Sequence, residues 1–266
     1  MIYGFIGAGN MGGALLRGYL KAGGASAADI LITEKSAERR KALQAELGVG
    51  ACESIAELVR KADVILLAVK PNLFEEVLPQ AAEGYSPQKV VVTMAAGVSI
   101  SFVESYLGKD AKVIRIMPNT PAMVGEAMTA VCRNGNVEDA LFASIFRMFT
   151  SVGRAQEIPE TLMDCVVGVS GSSPAYTYMY IDALADAAVK NGMPKQQAVA
   201  FAAQSALGAA KMVLETGVDP VQLRINVCSP GGTTIEAVET LQKNGFEKNI
   251  AAAFQAAVEK SKIMTK

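Results

Sequence analysis

A doubly wound α/β domain followed by an all-helical one is the fold this sequence predicts, on three observations. Short β-branched runs alternate with amphipathic stretches through the first 155 residues. A glycine-rich turn separates the first such run from the first helical pattern. Beyond residue 157 the β-branched runs stop and an alanine-rich, helical composition takes over. The change in pattern divides the chain into residues 1–157 and 158–266.

Taken in order, strands are expected at 2–6, 30–33, 64–69, 90–94, 113–117 and 128–132. Several are apolar at every position rather than at alternate ones, as befits strands covered on both faces of a parallel sheet. Helices are expected between and after them, at 11–21, 37–47, 55–61, 73–82, 100–107 and 137–149, and in the second half at 174–190, 194–215, 233–243 and 246–262. Asn191-Gly192 is a stop signal, and Pro194 suits the first turn of the next helix. That helix carries Val199, Phe201, Ala203, Ala206, Gly208 and Ala210 around its whole circumference, so it needs burial on every side. The remaining helices are too few to supply it, and assembly with a second copy through 160–266 is expected.

Composition narrows the chemistry. The 266 residues are 51% apolar and 19% charged, with a net charge of −1, which excludes a disordered chain and gives no basic block for nucleic acid or an anionic membrane. Histidine is absent. That removes imidazole acid–base chemistry, His-dependent triads and His-ligated zinc. Cys52, Cys132, Cys165 and Cys228 are widely spaced, with neither a CxxC pair nor a scaffold spacing, so free thiols and no metal are expected. No signal peptide opens the chain and no uncharged stretch is long enough for a bilayer, which gives a cytoplasmic expectation without a membrane partner.

The glycine turn is Ile6-Gly7-Ala8-Gly9-Asn10-Met11-Gly12. After a strand and before a helix, Gly7 allows the tight turn, Gly9 lets a pyrophosphate approach the backbone, and Gly12 lets helix and strand pack closely. The free amides and positive dipole end of the helix suit the phosphates. Glu34 lies 22 positions after Gly12, where an acid takes the ribose 2′-hydroxyl of NAD and repels a 2′-phosphate. Lys35 and Ser36 follow directly and favour that phosphate instead. The choice between NADH and NADPH stays open on these residues.

Ala68-Val69-Lys70-Pro71 and Ala95-Ala96-Gly97 end two strands at the carboxyl side of the sheet, where ligands of such sheets bind. The small residues of the latter let a flat ring lie against the backbone, and Lys70 is a candidate anion partner or a solvated lysine. Arg115 to Pro121, with Asn119 and Thr120 between two prolines, reads as a rigid turn. Gly168 to Tyr176 reads as a flexible turn closed by Pro174, with close helix packing in a subunit interface. Asn226-Val227-Cys228-Ser229-Pro230-Gly231-Gly232-Thr233-Thr234 is a Pro-Gly-Gly turn whose successive amides open a helix. It suits a carboxylate, or serves simply as a capped helix start. Cys228 has no histidine to activate it and reads as a spectator.

Together these motifs resemble the pyrroline-5-carboxylate reductases, collinearly over 5–12, 68–71, 95–98, 117–121, 170–176 and 223–239, with the Ser229–Thr234 run the most specific. The resemblance implies an N-terminal Rossmann domain and a helical dimerisation domain, in homodimers or decamers, that reduce 1-pyrroline-5-carboxylate to L-proline with NADPH or NADH. It implies substrate contacts at Glu160, Asn226, Ser229, Gly231, Gly232, Thr233 and Thr234, with Thr234 facing the ring nitrogen, and adds Asn119 and Asn226 to the cofactor contacts. Departures stand at Glu34, where the family often has Asn, Ser or Arg, and at Ile55, where it often has Asn.

Such chemistry needs no histidine: if the cyclic imine binds protonated, the electrophile carries its own activation and catalysis is mostly positioning. Two rivals remain to be weighed. A β-hydroxy-acid dehydrogenase would use a lysine such as Lys190, which reads better as a helix end. A non-catalytic nucleotide sensor would have no use for Glu160, Asn226 and Thr234.

Overall fold

The computed structural model describes residues 1–265. The first half is an eight-stranded sheet in the order β3-β2-β1-β4-β5-β6-β7-β8. Its strands are β1 (Tyr3–Ile6), β2 (Ile30–Thr33), β3 (Gly50–Ala51), β4 (Val64–Leu67), β5 (Val90–Thr93), β6 (Lys112–Met117), β7 (Ala127–Arg133) and β8 (Gly153–Glu157). The first six are parallel, β7 runs antiparallel to β6, and β8 is parallel to β7. The order reverses between β1 and β4, the switch point at which such sheets open a crevice.

Helices cover both faces. α1 (Asn10–Lys21), α2 (Ala37–Leu47) and α6 (Asp139–Thr150) send Leu15, Leu16, Leu43, Phe142 and Phe149 into one core. α3 (Ile55–Lys61), α4 (Phe74–Ala82) and α5 (Ile100–Leu107) send Leu58, Phe74, Leu78 and Val103 into the other. β1, β4 and β5 are buried at every position, which is why their sequences carry no alternation. Full burial of a side chain such as Phe74 or Phe149 stabilises by roughly 1.5–3 kcal/mol.

The expected strands and helices of this half are present, with small shifts at their ends: β4 stops at Leu67 and β5 at Thr93, so 68–69 and 94 belong to the crevice loops. β3 and β8 were not foreseen. β3 has two residues, and β8 reads Gly-Arg-Ala-Gln-Glu, half exposed at the sheet edge with no apolar run to announce it.

After β8 come a 3-10 turn (Glu160–Leu162), α7 (Met163–Val166) and a wide π turn (Val167–Gly171). Met163 is buried in the second core, with Ile158, Val166 and Val167 beside it. Accordingly, one compact unit runs from Met1 to Gly171 and takes in the residues from Ala257 onward, while Ser172–Ala256 form the other. The composition changes at 157; compactness changes fourteen residues later, because the intervening turn packs on the sheet domain.

The helices α8 (Ser173–Lys190), α9 (Lys195–Thr216), α10 (Pro220–Val227), α11 (Thr233–Lys243) and α12 (Phe246–Met264) follow. α10 was not foreseen, and Pro194 stands one place before α9 rather than inside its first turn. Within the second unit α8 and α9 pair through the buried Ala185, Ala198 and Ala202, with Ile181, Ala188 and Met193 packed partly buried beside them. Phe201 is 69% exposed, and Met179, Leu214, Ile225 and Val227 are each more than half exposed. No helix of the described residues is long and apolar enough to cross a membrane.

Candidate functional site

The candidate residues of the first unit begin at the turn between β1 and α1. Gly7 has φ +83°, and a Cβ there would stand 2.9 Å from the Ala68 carbonyl oxygen. Gly12 faces Ala68 as well: its Cβ would meet the Ala68 Cβ at 2.7 Å and the Gly7 carbonyl oxygen at 2.8 Å. Gly9, by contrast, has nothing within 4 Å of a would-be Cβ, so the backbone is open there to an approaching phosphate. No side chain caps α1, and its first amides keep their donors. Three glycines thus serve three separate requirements, and the cradle fits the diphosphate of a dinucleotide.

The end of β2 resolves part of the Glu34–Ser36 question geometrically. The Glu34 carboxylate accepts from the Ala8 amide at 2.5 Å, which brings it to the dinucleotide turn. Ser36 is taken up as the N-cap of α2, its Oγ accepting from the Arg39 amide at 3.2 Å, while Lys35 is exposed. Arg39 was not singled out in the sequence. Its Nη2 donates to the Ala8 carbonyl at 3.0 Å, so a cation stands at the same turn as Glu34. A basic residue in the first turn of the helix after β2 was the available signal. A cavity of about 710 Å³ opens here, lined by Gly9, Asn10 and Arg39 and extending down α1 to Arg17 and Lys21. It does not reach 68–71 or 95–97.

Ala68 and Val69 are half-buried at the end of β4, packed around Gly7; Lys70 is exposed ahead of the turn that Pro71 begins. Beyond β5, Ala95 is buried, Ala96 half-buried, and Gly97 has φ +73°. The need for glycine at 97 has a second source: a Cβ would stand 2.6 Å from the Met264 carbonyl oxygen at the end of α12. Nothing in the sequence links positions 97 and 264. Asn119 is buried, with its amide nitrogen donating to the Ser170 carbonyl at 3.1 Å and its oxygen accepting from the Met128 amide at 3.0 Å. Both halves of that amide are committed to holding the loop after β6.

Glu160 lies in the first unit. Its Oε1 accepts from Arg115 Nη1 and from the Ile100 amide, each at 2.8 Å. Arg115, read from sequence only as the start of a rigid turn, is a β6 residue whose side chain is 4% exposed. The signal was a charge inside an otherwise apolar strand, since a buried charge requires a partner. Cys132 pairs with Arg115 in register, and burial, with the Glu160 carboxylate adding to it, pushes its thiol up to about 12. It is held protonated and inert at neutral pH.

A separate group of candidate residues lies in the second unit. Asn226, near the end of α10, is exposed, and its Oδ1 accepts from Gln222 at 2.8 Å. Ser229–Gly232 form a turn closed by the Gly232 amide on the Ser229 carbonyl at 3.0 Å, with Gly231 at φ +68°. Gly232 then stands at the N-cap of α11 without a side-chain cap, which leaves the amides of Thr233 and Thr234 available as donors at the positive end of the helix. The arrangement is that of an anion nest. Thr233 is exposed and Thr234 half-buried.

Comparison with known proteins adds the following. Residues 160–264 match the family profile described as pyrroline-5-carboxylate reductase dimerisation, and residues 2–97 match one described as NADP oxidoreductase, coenzyme F420-dependent. The chain is 45% identical over 263 residues to the pyrroline-5-carboxylate reductase of Escherichia coli, covering 99% of this chain and 98% of the relative. It is 42% identical to human pyrroline-5-carboxylate reductase 2, over 97% of this chain and 82% of that one. Among solved structures, the pyrroline carboxylate reductase of Plasmodium falciparum with NADP bound superposes with a TM-score of 0.91 at 33% identity, covering 100% of this chain and 98% of that one. A glycine cradle for a dinucleotide, an uncapped Ser-Pro-Gly-Gly-Thr-Thr nest and near-complete coverage at such identities lead to one assignment: this chain belongs to the pyrroline-5-carboxylate reductase family.

Proposed function

We propose that this protein reduces 1-pyrroline-5-carboxylate to L-proline with NADPH or NADH, as a cytoplasmic homodimer or a larger assembly of dimers. Residues 1–157 hold the dinucleotide; residues 158–266 serve dimerisation and the substrate. The observation that carries this reading is the uncapped start of α11, whose Thr233 and Thr234 amides and hydroxyls suit a ring that bears a carboxylate. Ser229, Gly231 and Gly232 shape the turn, and Asn226 stands one helix turn before it.

The reduced nicotinamide supplies the hydride when bound. The chain's own part is positional. Ile6 to Gly12 and Glu34 to Ser36 hold the adenosine and diphosphate side, with Arg39 beside them. Ala68 to Pro71, Ala95 to Gly97 and the Asn119 loop border the nicotinamide side. The nest fixes the substrate carboxylate, and the Thr234 hydroxyl hydrogen-bonds the ring nitrogen. Because the imine enters protonated, the ring carbon is already electrophilic, and a chain without histidine is sufficient.

Thr234→Ala is expected to lower kcat by about a hundredfold, within the range of a lost polar contact in a transition state, while NADPH affinity stays within about twofold. Oxidation of NADPH in the presence of pyrroline-5-carboxylate measures the first, and calorimetric titration the second. Equal losses in both would remove Thr234 from the chemistry. Tight nucleotide binding by the unaltered protein without turnover would favour the sensor.

A further inference from the structure

We propose that Arg115 and Glu160 form a strut that sets the position of the 95–99 loop, so that Glu160 acts as a positioning residue for the nicotinamide side. The inference rests on the reading above that this loop borders the nicotinamide.

Arg115 projects from the middle of β6, between Thr93 of β5 and Cys132 of β7 in register. A guanidinium there is out of reach of water and requires an anion, and Glu160 is the carboxylate that meets it among the described residues. The same Oε1 takes the Ile100 amide. Two donors at 2.8 Å therefore pin one oxygen of the carboxylate between β6 and the start of α5.

Ile100 is the first residue of α5, so its amide is one of the four that a helix start leaves without an internal acceptor. Ser99, the N-cap, serves the Phe102 amide at 3.0 Å; Glu160 serves Ile100. The carboxylate also sits at the positive end of the α5 dipole. Only Val98 and Ser99 separate this anchored amide from Gly97, so the placement of Glu160 fixes one end of the loop.

The 158–166 segment that carries Glu160 is itself held. Asp164 Oδ1 accepts from the buried Ser261 hydroxyl at 2.6 Å, three residues before Met264 reaches Gly97. The loop after β5 is thus fastened at Ile100 through Glu160 and at Gly97 by the end of α12.

The test uses the full-length enzyme with Glu160→Ala, Arg115→Met, and the double variant, which leaves no unpaired charge. Three quantities are read: affinity for NADPH, affinity for 2′,5′-ADP, which lacks the nicotinamide, and kcat and KM for pyrroline-5-carboxylate. Each single variant is expected to weaken NADPH and lower kcat by about tenfold, the loss of one charge-assisted hydrogen bond, with 2′,5′-ADP affinity within about twofold. The double variant is expected to be no worse than Glu160→Ala. A rise confined to KM for pyrroline-5-carboxylate would make Glu160 a substrate ligand and overturn the proposal. Parallel losses for NADPH and 2′,5′-ADP, with a lower Tm, would overturn it too, as general destabilisation. Ala96→Leu checks the underlying reading by itself: unchanged NADPH affinity in that variant would show that the loop does not border the nicotinamide.

Discussion

At the scale of single residues, the dinucleotide turn shows how much geometry a spacing can carry. The order of Gly7, Gly9 and Gly12 implies a turn, a close approach and a close packing contact; Gly7 and Gly12 do stand against Ala68, and the space beside Gly9 is open. Glu34 is different. Its position predicts a ribose contact, but a cation meets it at Ala8, whose amide donates to Glu34 and whose carbonyl accepts from Arg39. The two charges meet at one residue, on its two adjoining peptide groups, and oppose each other in their effect on a 2′-phosphate. Glu34→Ser is therefore expected to raise the ratio of kcat/KM for NADPH over NADH by about tenfold, or some 1.4 kcal/mol, by removing the like charge. An unchanged ratio in the steady-state comparison would place Glu34 outside the ribose pocket. Arg115 and Glu160 are the residues whose pairing the sequence could not show, being 45 positions apart.

At the scale of elements, caps and periodicity did most of the locating. Ser36, Ser54 and Ser99 each accept from an amide three residues on and start α2, α3 and α5 where the pattern placed them. Ser99→Ala is expected to destabilise the fold by about 1 kcal/mol, the usual worth of such a cap, and to lower Tm in a thermal melt by a few degrees. An unshifted Tm would mean that Glu160 alone suffices at this helix start. The elements that escaped notice, β3, β8 and α10, share a cause. They are short or lie at an edge, so their residues are not asked to be apolar at a regular interval. The start of α11 was legible for the opposite reason, because Pro-Gly-Gly before Thr-Thr leaves amides without a competing cap.

At the scale of the whole molecule, the helical unit does not bury its own apolar residues. Its shared core is Ala185, Ala198 and Ala202, while Phe201, Met179 and Leu214 lie exposed. Exposed apolar area of this extent marks an interface, and the family's dimerisation profile covers 160–264. The protein is therefore a homo-oligomer. Phe201→Glu is expected to shift it to monomer, because a charge would have to be buried without a partner. Light scattering behind size-exclusion chromatography reads the mass. A variant that keeps the mass of the unaltered protein would show that this face of α9 stays in solvent.

What the sequence determined by itself were the features encoded locally. The alternation of apolar runs and helical patterns specified a doubly wound sheet, glycine spacing specified the cradle, and the missing histidines restricted the chemistry. Each is a constraint that neighbouring residues impose on one another. The tertiary structure alone decided which distant groups meet: Arg115 with Glu160, Asp164 with Ser261, Gly97 with Met264. Those pairings follow from chain reversals and from the shared requirement of buried polar groups for partners, and no local period records them.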